Sequence, residues 1–198
     1  MIPSRIWWLS AAAAAAAAAA VSLAVLSLAL TQAPLPSAPP AAASNDPFGE
    51  EVTLVEKTIV YISGSGVWDS AFDTIVGGFK TLDGAMAKQG LQASGPPMTI
   101  YTATDDTGFQ FRAALPVAQM PTMPSDSGLK VGKSPAGKAL RFVHRGSYDS
   151  LDTTFELISN YLDEKQLKAR DVFVEQYIKG PIATPQDDLV IEVYIPLN

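Results

Sequence analysis

Cysteine is absent from the 198 residues, and histidine occurs once, as His144. The first absence excludes disulfides, thiolate metal sites, a cysteine nucleophile and lipidation on sulfur. The second leaves one candidate base for any serine-type triad and too few imidazoles for a histidine-rich metal site. Positive charge is also scarce. From Glu51 to Asn198 there are 13 Lys and Arg against 18 Asp and Glu, a net charge of −5. Such an acidic body lacks the clustered cations that grip a nucleic-acid backbone, so no nucleic-acid partner is expected. No metal and no cofactor is expected either.

Charge and proline are both missing from Ile6 to Leu30, "IWWLSAAAAAAAAAAVSLAVLSLAL". A helix of that length spans about 37 Å, more than the ~30 Å hydrocarbon core of a bilayer. Trp7 and Trp8 sit where an interfacial aromatic belt would lie. Arg5 precedes the run and no Lys or Arg follows before Lys57, so the positive-inside rule keeps residues 1–5 in the cytoplasm. The expectation is a single-pass anchor in the inner membrane (6–30), a Pro/Ala-rich tether (31–50) and a periplasmic domain (51–198). The competing reading is a cleaved signal peptide, whose apolar core is usually shorter, ~7–15 residues. Both readings export the domain.

What the domain has is an internal repeat. "EVTLVEKTIVYI" reads as a strand. A helix follows, with Trp68, Phe72, Ile75, Phe79, Leu82 and Met86 on one face and Gly90 as its stop. "MTIYTA" and "FQFRAALPV" are two strands joined by the turn "TDDTG". The series recurs as strand "KALRFVH", a helix with Tyr148, Leu151, Phe155, Ile158 and Leu162 on one face, and strands "DVFVEQYI" and "DLVIEVYIPL". A shift of 80 lays Gly66 on Gly146, Trp68 on Tyr148, Asp69 on Asp149, Leu82 on Leu162 and Pro116 on Pro196. In the middle strand the shift is 76, which lays Tyr101 on Tyr177 and Thr99 on Glu175. A longer helix-to-strand loop in the first copy, balanced by a longer hairpin in the second, accounts for the difference.

The expected fold is therefore α+β. Two strand-helix-strand-strand units (51–117 and 137–198, joined by a linker at 118–136) form one antiparallel sheet about a pseudo-twofold axis. Helices lie on one side. Alternation directs Phe109, Phe111, Leu115, Leu189, Ile191, Val193 and Ile195 toward the helices. Gln110, Arg112, Glu192 and Tyr194 face away. On "DVFVEQYI" one face carries Phe173, Glu175 and Tyr177, a carboxylate between two aromatic rings. Gly77, Gly78 and Gly84 weaken the first helix, and close backbone packing is the expected reason.

In "GPPMTIYTATDDTGFQFRAALPV", "AGKALRFVHRGSYDSLDTTFELISNYL" and "VEQYIKGPIATPQDDLVIEVYIPL", and in the spacing between them, the chain resembles the GyrI-like, or bacterial-regulator effector-binding, domains. These are related in architecture to the SOUL haem-binding domains. The resemblance implies tandem units with a groove that binds small molecules, often cationic and aromatic, and a groove carboxylate in an E-x-Y strand, here Glu175 followed by Tyr177. Regulator members join this domain to a helix-turn-helix DNA reader. Here an apolar segment and a Pro-rich tether precede it, so ligand binding, not transcriptional control, is the expectation.

Glu175, Tyr177, Phe173, Tyr101, Tyr61 and Tyr194 are the candidate ligand-binding residues. A carboxylate among ring faces attracts a delocalised cation. The plain alternative is an exposed, salt-bridged Glu175 on an open sheet face. Binding of a small organic molecule ranks first. Hydrolysis of a reactive small molecule with Glu175 as base comes second, and haem binding through His144 third. His144 itself falls at a strand-to-helix corner, where a local hydrogen bond is its expected task and no serine is placed for a triad.

Overall fold

The computed structural model describes residues 48–122 and 127–198. The expected anchor, and the tether as far as residue 47, lie outside them. Among the described residues no helix is long and apolar enough to cross a membrane.

Among the described residues eight strands and two α-helices follow one another as β1 (Glu50–Leu54), β2 (Thr58–Val67), α1 (Ala71–Lys88), β3 (Met98–Thr104), β4 (Gly108–Pro116), β5 (Lys130–Lys133), β6 (Gly137–Gly146), α2 (Leu151–Glu164), β7 (Phe173–Tyr177) and β8 (Leu189–Pro196). A single turn of 3-10 helix opens each helix, at Trp68–Ser70 and Tyr148–Ser150. The strands form one antiparallel sheet in the order β1-β6-β8-β7-β3-β4-β2-β5. That order reads the same from either edge once the repeats are exchanged. β3 and β7 join the halves at the centre, with Thr99 directly opposite Glu175. These two positions are equivalent in the repeat, so the pseudo-twofold axis runs between them.

Three expectations need correcting. The stretch 51–62 is not one strand. β1 breaks off at Leu54, crosses through Val55–Lys57 and pairs with β6 of the other half, whereas β2 pairs with β4 and β5. The presumed linker at 118–136 contains β5, which occupies the same place on β2. β5 lies 80 residues after β1, so the unit gains a leading strand and each half lends that strand to the other. β-branched composition marks such segments as extended without saying which edge they join. The change of shift from 80 to 76 also has a different origin. α1 has 18 residues and α2 has 14, one turn fewer. Both close identically, with Leu91 N–H on Met86 O and Leu167 N–H on Leu162 O at 3.0 and 2.9 Å. Gly90 and Gln166 take positive φ there, so the difference is one helical turn and not a longer loop.

Alternation places the core as expected. Ile75, Phe79, Leu82 and Met86 from α1, with Leu151, Phe155 and Ile158 from α2, join Phe111, Leu115, Ile191, Val193 and Ile195 in one cluster. Each fully buried side chain of this size contributes about 1.5–3 kcal/mol. The far face holds a smaller cluster of Ile59, Met98, Ile100, Ala114 and Val174. There Arg141 bonds Glu50 Oε2 at 2.8 Å through Nε and Glu192 Oε1 at 2.7 Å through a terminal nitrogen, tying β1 to β6 and β8.

Of the helix glycines, only Gly78 is close-packed. A Cβ there would lie 3.2 Å from the Phe111 ring and 3.3 Å from Ala113. Gly77 and Gly84 face open space, and nothing in the structure explains them. Gly84→Ala is therefore expected to stabilise the fold by about 0.5–1 kcal/mol through helix propensity. Gly49 has φ +81° and a Cβ would fall 2.5 Å from the Tyr161 ring. Gly49→Ala is expected to destabilise by roughly 2 kcal/mol from left-handed strain and overpacking. Urea unfolding of the two variants checks both signs.

Candidate functional site

Each helix packs on the outer strands of its own half, α1 on β2 and β4, α2 on β6. The helix-side face of β3 and β7 is left open where the two helices begin, and a cavity of about 390 Å³ lies there. Its floor is Tyr101 of β3 with Phe173 and Glu175 of β7. The Tyr101 and Phe173 rings stack with centroids 4.2 Å apart and planes 14° apart. The walls are the opening turns of the helices. Trp68 stacks toward Tyr101 at 6.3 Å, and Phe72 and Tyr148 meet at 5.0 Å. Phe155 closes on Phe173 edge-on at 5.1 Å. The Trp68 indole N–H donates to the Asp105 carbonyl at 2.8 Å, which fixes the lip to the β3–β4 turn.

Glu175 is 1% exposed. The alternative of an exposed, salt-bridged strand carboxylate therefore does not hold. The Tyr177 hydroxyl donates to its Oε2 at 2.7 Å and the Tyr148 hydroxyl to the same oxygen at 3.5 Å. The Tyr101 and Tyr148 hydroxyls lie 3.1 Å apart. No Lys, Arg or His is among the described residues that line the cavity. Burial raises the Glu175 carboxyl to about 7, against hydrogen bonds from Tyr177, Tyr101 and Tyr148 that pull it down. Burial first, and the Glu175 charge second, push all three tyrosine hydroxyls well above their usual range. They are therefore neutral donors at neutral pH.

The rim carries Asp69, Asp73, Asp105, Asp106, Asp149 and Asp152, all exposed. Several have local structural work. Asp69, Asp73, Asp149 and Asp152 lie in first helical turns, where a negative charge favours the helix dipole. Asp105 Oδ1 accepts from the Thr107 hydroxyl and the Thr107 and Gly108 amides, and these bonds hold its carboxyl below the usual range. Together with Glu175 they make every formal charge on the cavity lining negative.

Of the candidate residues, Glu175, Phe173 and Tyr101 meet on the floor and Tyr177 bonds the carboxylate from beneath. Tyr61 and Tyr194 do not join them. They lie on the opposite face of the sheet, Tyr61 under Arg112 at 4.9 Å and Tyr194 donating to Glu192 Oε2 at 2.6 Å. Strand alternation already separates them from Glu175, but sequence alone did not show which face carries the cavity. Trp68, Phe72, Tyr148 and Phe155 belong to the apolar stripes of the helices, pack on the core as expected and also line the cavity. Their signal was their position, since Trp68 and Tyr148 head the two helices at equivalent repeat positions.

His144 is buried at the strand-to-helix corner and is not on the cavity lining. Nε2 lies 3.0 Å from the Ser147 carbonyl and Nδ1 2.8 Å from the Thr154 hydroxyl. The carbonyl can only accept, so Nε2 carries the proton and Nδ1 accepts from Thr154. Burial lowers the imidazole below its ordinary value. Among the described residues no group of three or more His, Asp or Glu is placed to hold a metal ion.

Glu175 titrates higher in the folded chain than its ordinary 4.5. The folded state therefore favours the protonated form, and this stability is complete below 4.5 and lost as the pH rises to about 7. Relative to Glu175→Gln, the unliganded wild type is expected to lose about 3 kcal/mol between pH 4.5 and pH 8. Urea midpoints across that range check it, and parallel pH profiles for the two proteins would contradict a buried, unpaired carboxyl.

No curated protein sequence matches the chain significantly. Solved structures do. The EcmrR C-terminal domain is 18% identical with a TM-score of 0.59, over 76% of this chain and 96% of that one. SAV2435, solved bound to tetraphenylphosphonium, is 16% identical with a TM-score of 0.53, over 76% and 93%. A structure described as a hydrolase from Listeria innocua is 12% identical with a TM-score of 0.54, over 76% and 92%. At these identities the likeness is one of fold. The GyrI-like small molecule binding domain matches residues 50–198, the whole repeat with its leading strand, and the chain belongs to that family.

Proposed function

We propose that the cavity binds a lipophilic organic cation, its charge against Glu175 and its apolar body among Trp68, Phe72, Tyr101, Tyr148 and Phe173. One observation carries the reading. A buried carboxylate with no cationic partner among the described residues sits on the floor of an aromatic cavity. A buried charge without a partner is strongly unfavourable. A soft, weakly hydrated cation supplies the missing charge, and the ring faces add cation–π attraction of about 0.5–2 kcal/mol each. The rim aspartates raise the local concentration of cations and repel anions. The tetraphenylphosphonium in SAV2435 fits the same chemistry. We further infer that residues 6–30 anchor the chain in the inner membrane, so that the domain samples ligands outside the cytoplasm.

A second reading rests on the same carboxyl. An acid held at about 7 among tyrosine hydroxyls is suited to general base catalysis. Glu175 would take a proton from a water that attacks a reactive electrophile, with a tyrosine hydroxyl stabilising the charge that develops. The third reading, haem held by His144, is less favoured, because His144 is off the cavity lining and both its nitrogens are bonded within the corner.

Calorimetry with tetraphenylphosphonium and tetraphenylborate, a pair of near-identical shape and opposite charge, tests the binding reading on the full-length chain in non-ionic detergent. The cation is expected to bind and the anion not to. Glu175→Gln is expected to weaken the cation by about tenfold to a hundredfold, and Tyr61→Phe to leave it unchanged. Equal binding of both ions would sink the reading. Turnover of an electrophilic substrate that vanishes in Glu175→Gln would favour the hydrolytic one.

A further inference from the structure

The environment of Glu175 bears on how the site is regulated, given the cation-binding reading above. Three groups touch or approach the carboxyl, and all are hydroxyls: Tyr177 from its own strand, Tyr148 from the turn before α2, and Tyr101 from β3. A hydroxyl both donates and accepts, so this cage can bond a carboxylate or a carboxylic acid. No residue needs to move for Glu175 to change its charge. The remaining charges on the described cavity lining come from three segments and share one sign. Asp69 and Asp73 lead into and begin α1, Asp105 and Asp106 form the β3–β4 turn, and Asp149 and Asp152 lead into and begin α2. Burial disfavours the ionised form, the three hydroxyls offset this only in part, and a bound cation would supply the missing charge.

We propose that the cavity exchanges one proton for one organic cation, Glu175 holding the proton while the cavity is empty and releasing it to solvent when a cation lies against it. The exchange balances in charge, because a neutral carboxyl plus a free cation becomes a carboxylate–cation pair plus a free proton. Below neutrality the site therefore passes from neutral to neutral, and its buried carboxyl is not left ionised without a partner. The carboxyl of the empty site titrates near neutrality, at about 7, so the exchange falls within ordinary pH changes. The imidazole of His144 lies outside the cavity lining and below this range. Mild acidification then releases the ligand, and neutral or alkaline conditions retain it.

Tetraphenylphosphonium carries no titratable proton, so any proton released on its binding comes from the protein. Calorimetric titration of the full-length chain at pH 6, in two buffers of different ionisation enthalpy, is expected to give about 0.9 proton released per cation bound. Affinity is expected to tighten about 30-fold from pH 5.5 to pH 8 and to level off above neutrality. Glu175→Gln is expected to bind more weakly, with no proton release and no pH dependence. Binding with equal heats in both buffers and a flat pH profile would overturn the exchange while leaving the binding reading intact. Absence of binding at every pH would remove both.

Discussion

The pairing of β3 with β7 is the constraint on which the rest of the molecule depends. It joins two half-sheets into one, and the register sets Thr99 against Glu175 on the pseudo-twofold axis. A strand at the centre of an eight-stranded sheet has no edge through which water can reach its backbone. Its helix-side residues are exposed only if the helices leave a gap. The helices here sit on the outer strands of their own halves, so the gap opens above the junction. The cavity is thus a consequence of joining two units that each bring their own helix.

Duplication supplies the scaffold and divergence supplies the chemistry. The two copies share the corner at Trp68 and Tyr148, the αL helix closures at Gly90 and Gln166, and the aromatic at Tyr101 and Tyr177. They differ where the axis meets the floor. Two glutamates at the equivalent positions would face each other across one strand pair, and like charges at that distance in a dry site cannot both ionise. A single glutamate opposite a threonine avoids that conflict. It leaves one charge at the centre of a cavity otherwise built from rings. The exchanged strands β1 and β5 complete the arrangement, since each half holds a strand from the other and neither sheet half is complete alone.

Much of this architecture was legible in the residues. Apolar periodicity located both helices and six strands, and alternation separated Phe111, Leu115, Ile191 and Val193 from Arg112 and Glu192 correctly. The repeat placed Trp68 with Tyr148 and Thr99 with Glu175. What could not be read depended on contacts between distant segments. β1 and β5 are short and extended, but no local pattern tells which edge they complete. Tyr61 and Tyr194 look like Tyr101 in composition and strand context, yet they lie on the other face. The extra turn of α1 looked like loop length, because a four-residue difference leaves the apolar phase of a helix nearly unchanged.

The sequence by itself determined the repeated unit, the order of its elements, the sides of the strands and the family to which they belong. These follow from local preference and period, which are properties of a single stretch of chain. Only the tertiary structure decided that Glu175 is buried, that three tyrosine hydroxyls surround it, and that six aspartates from three segments share its cavity. Burial and electrostatic environment are sums over everything that packs nearby, and here the neighbours come from both halves of the chain. The carboxyl's unusual affinity for its proton is therefore a property of the junction between the repeats and of neither repeat alone.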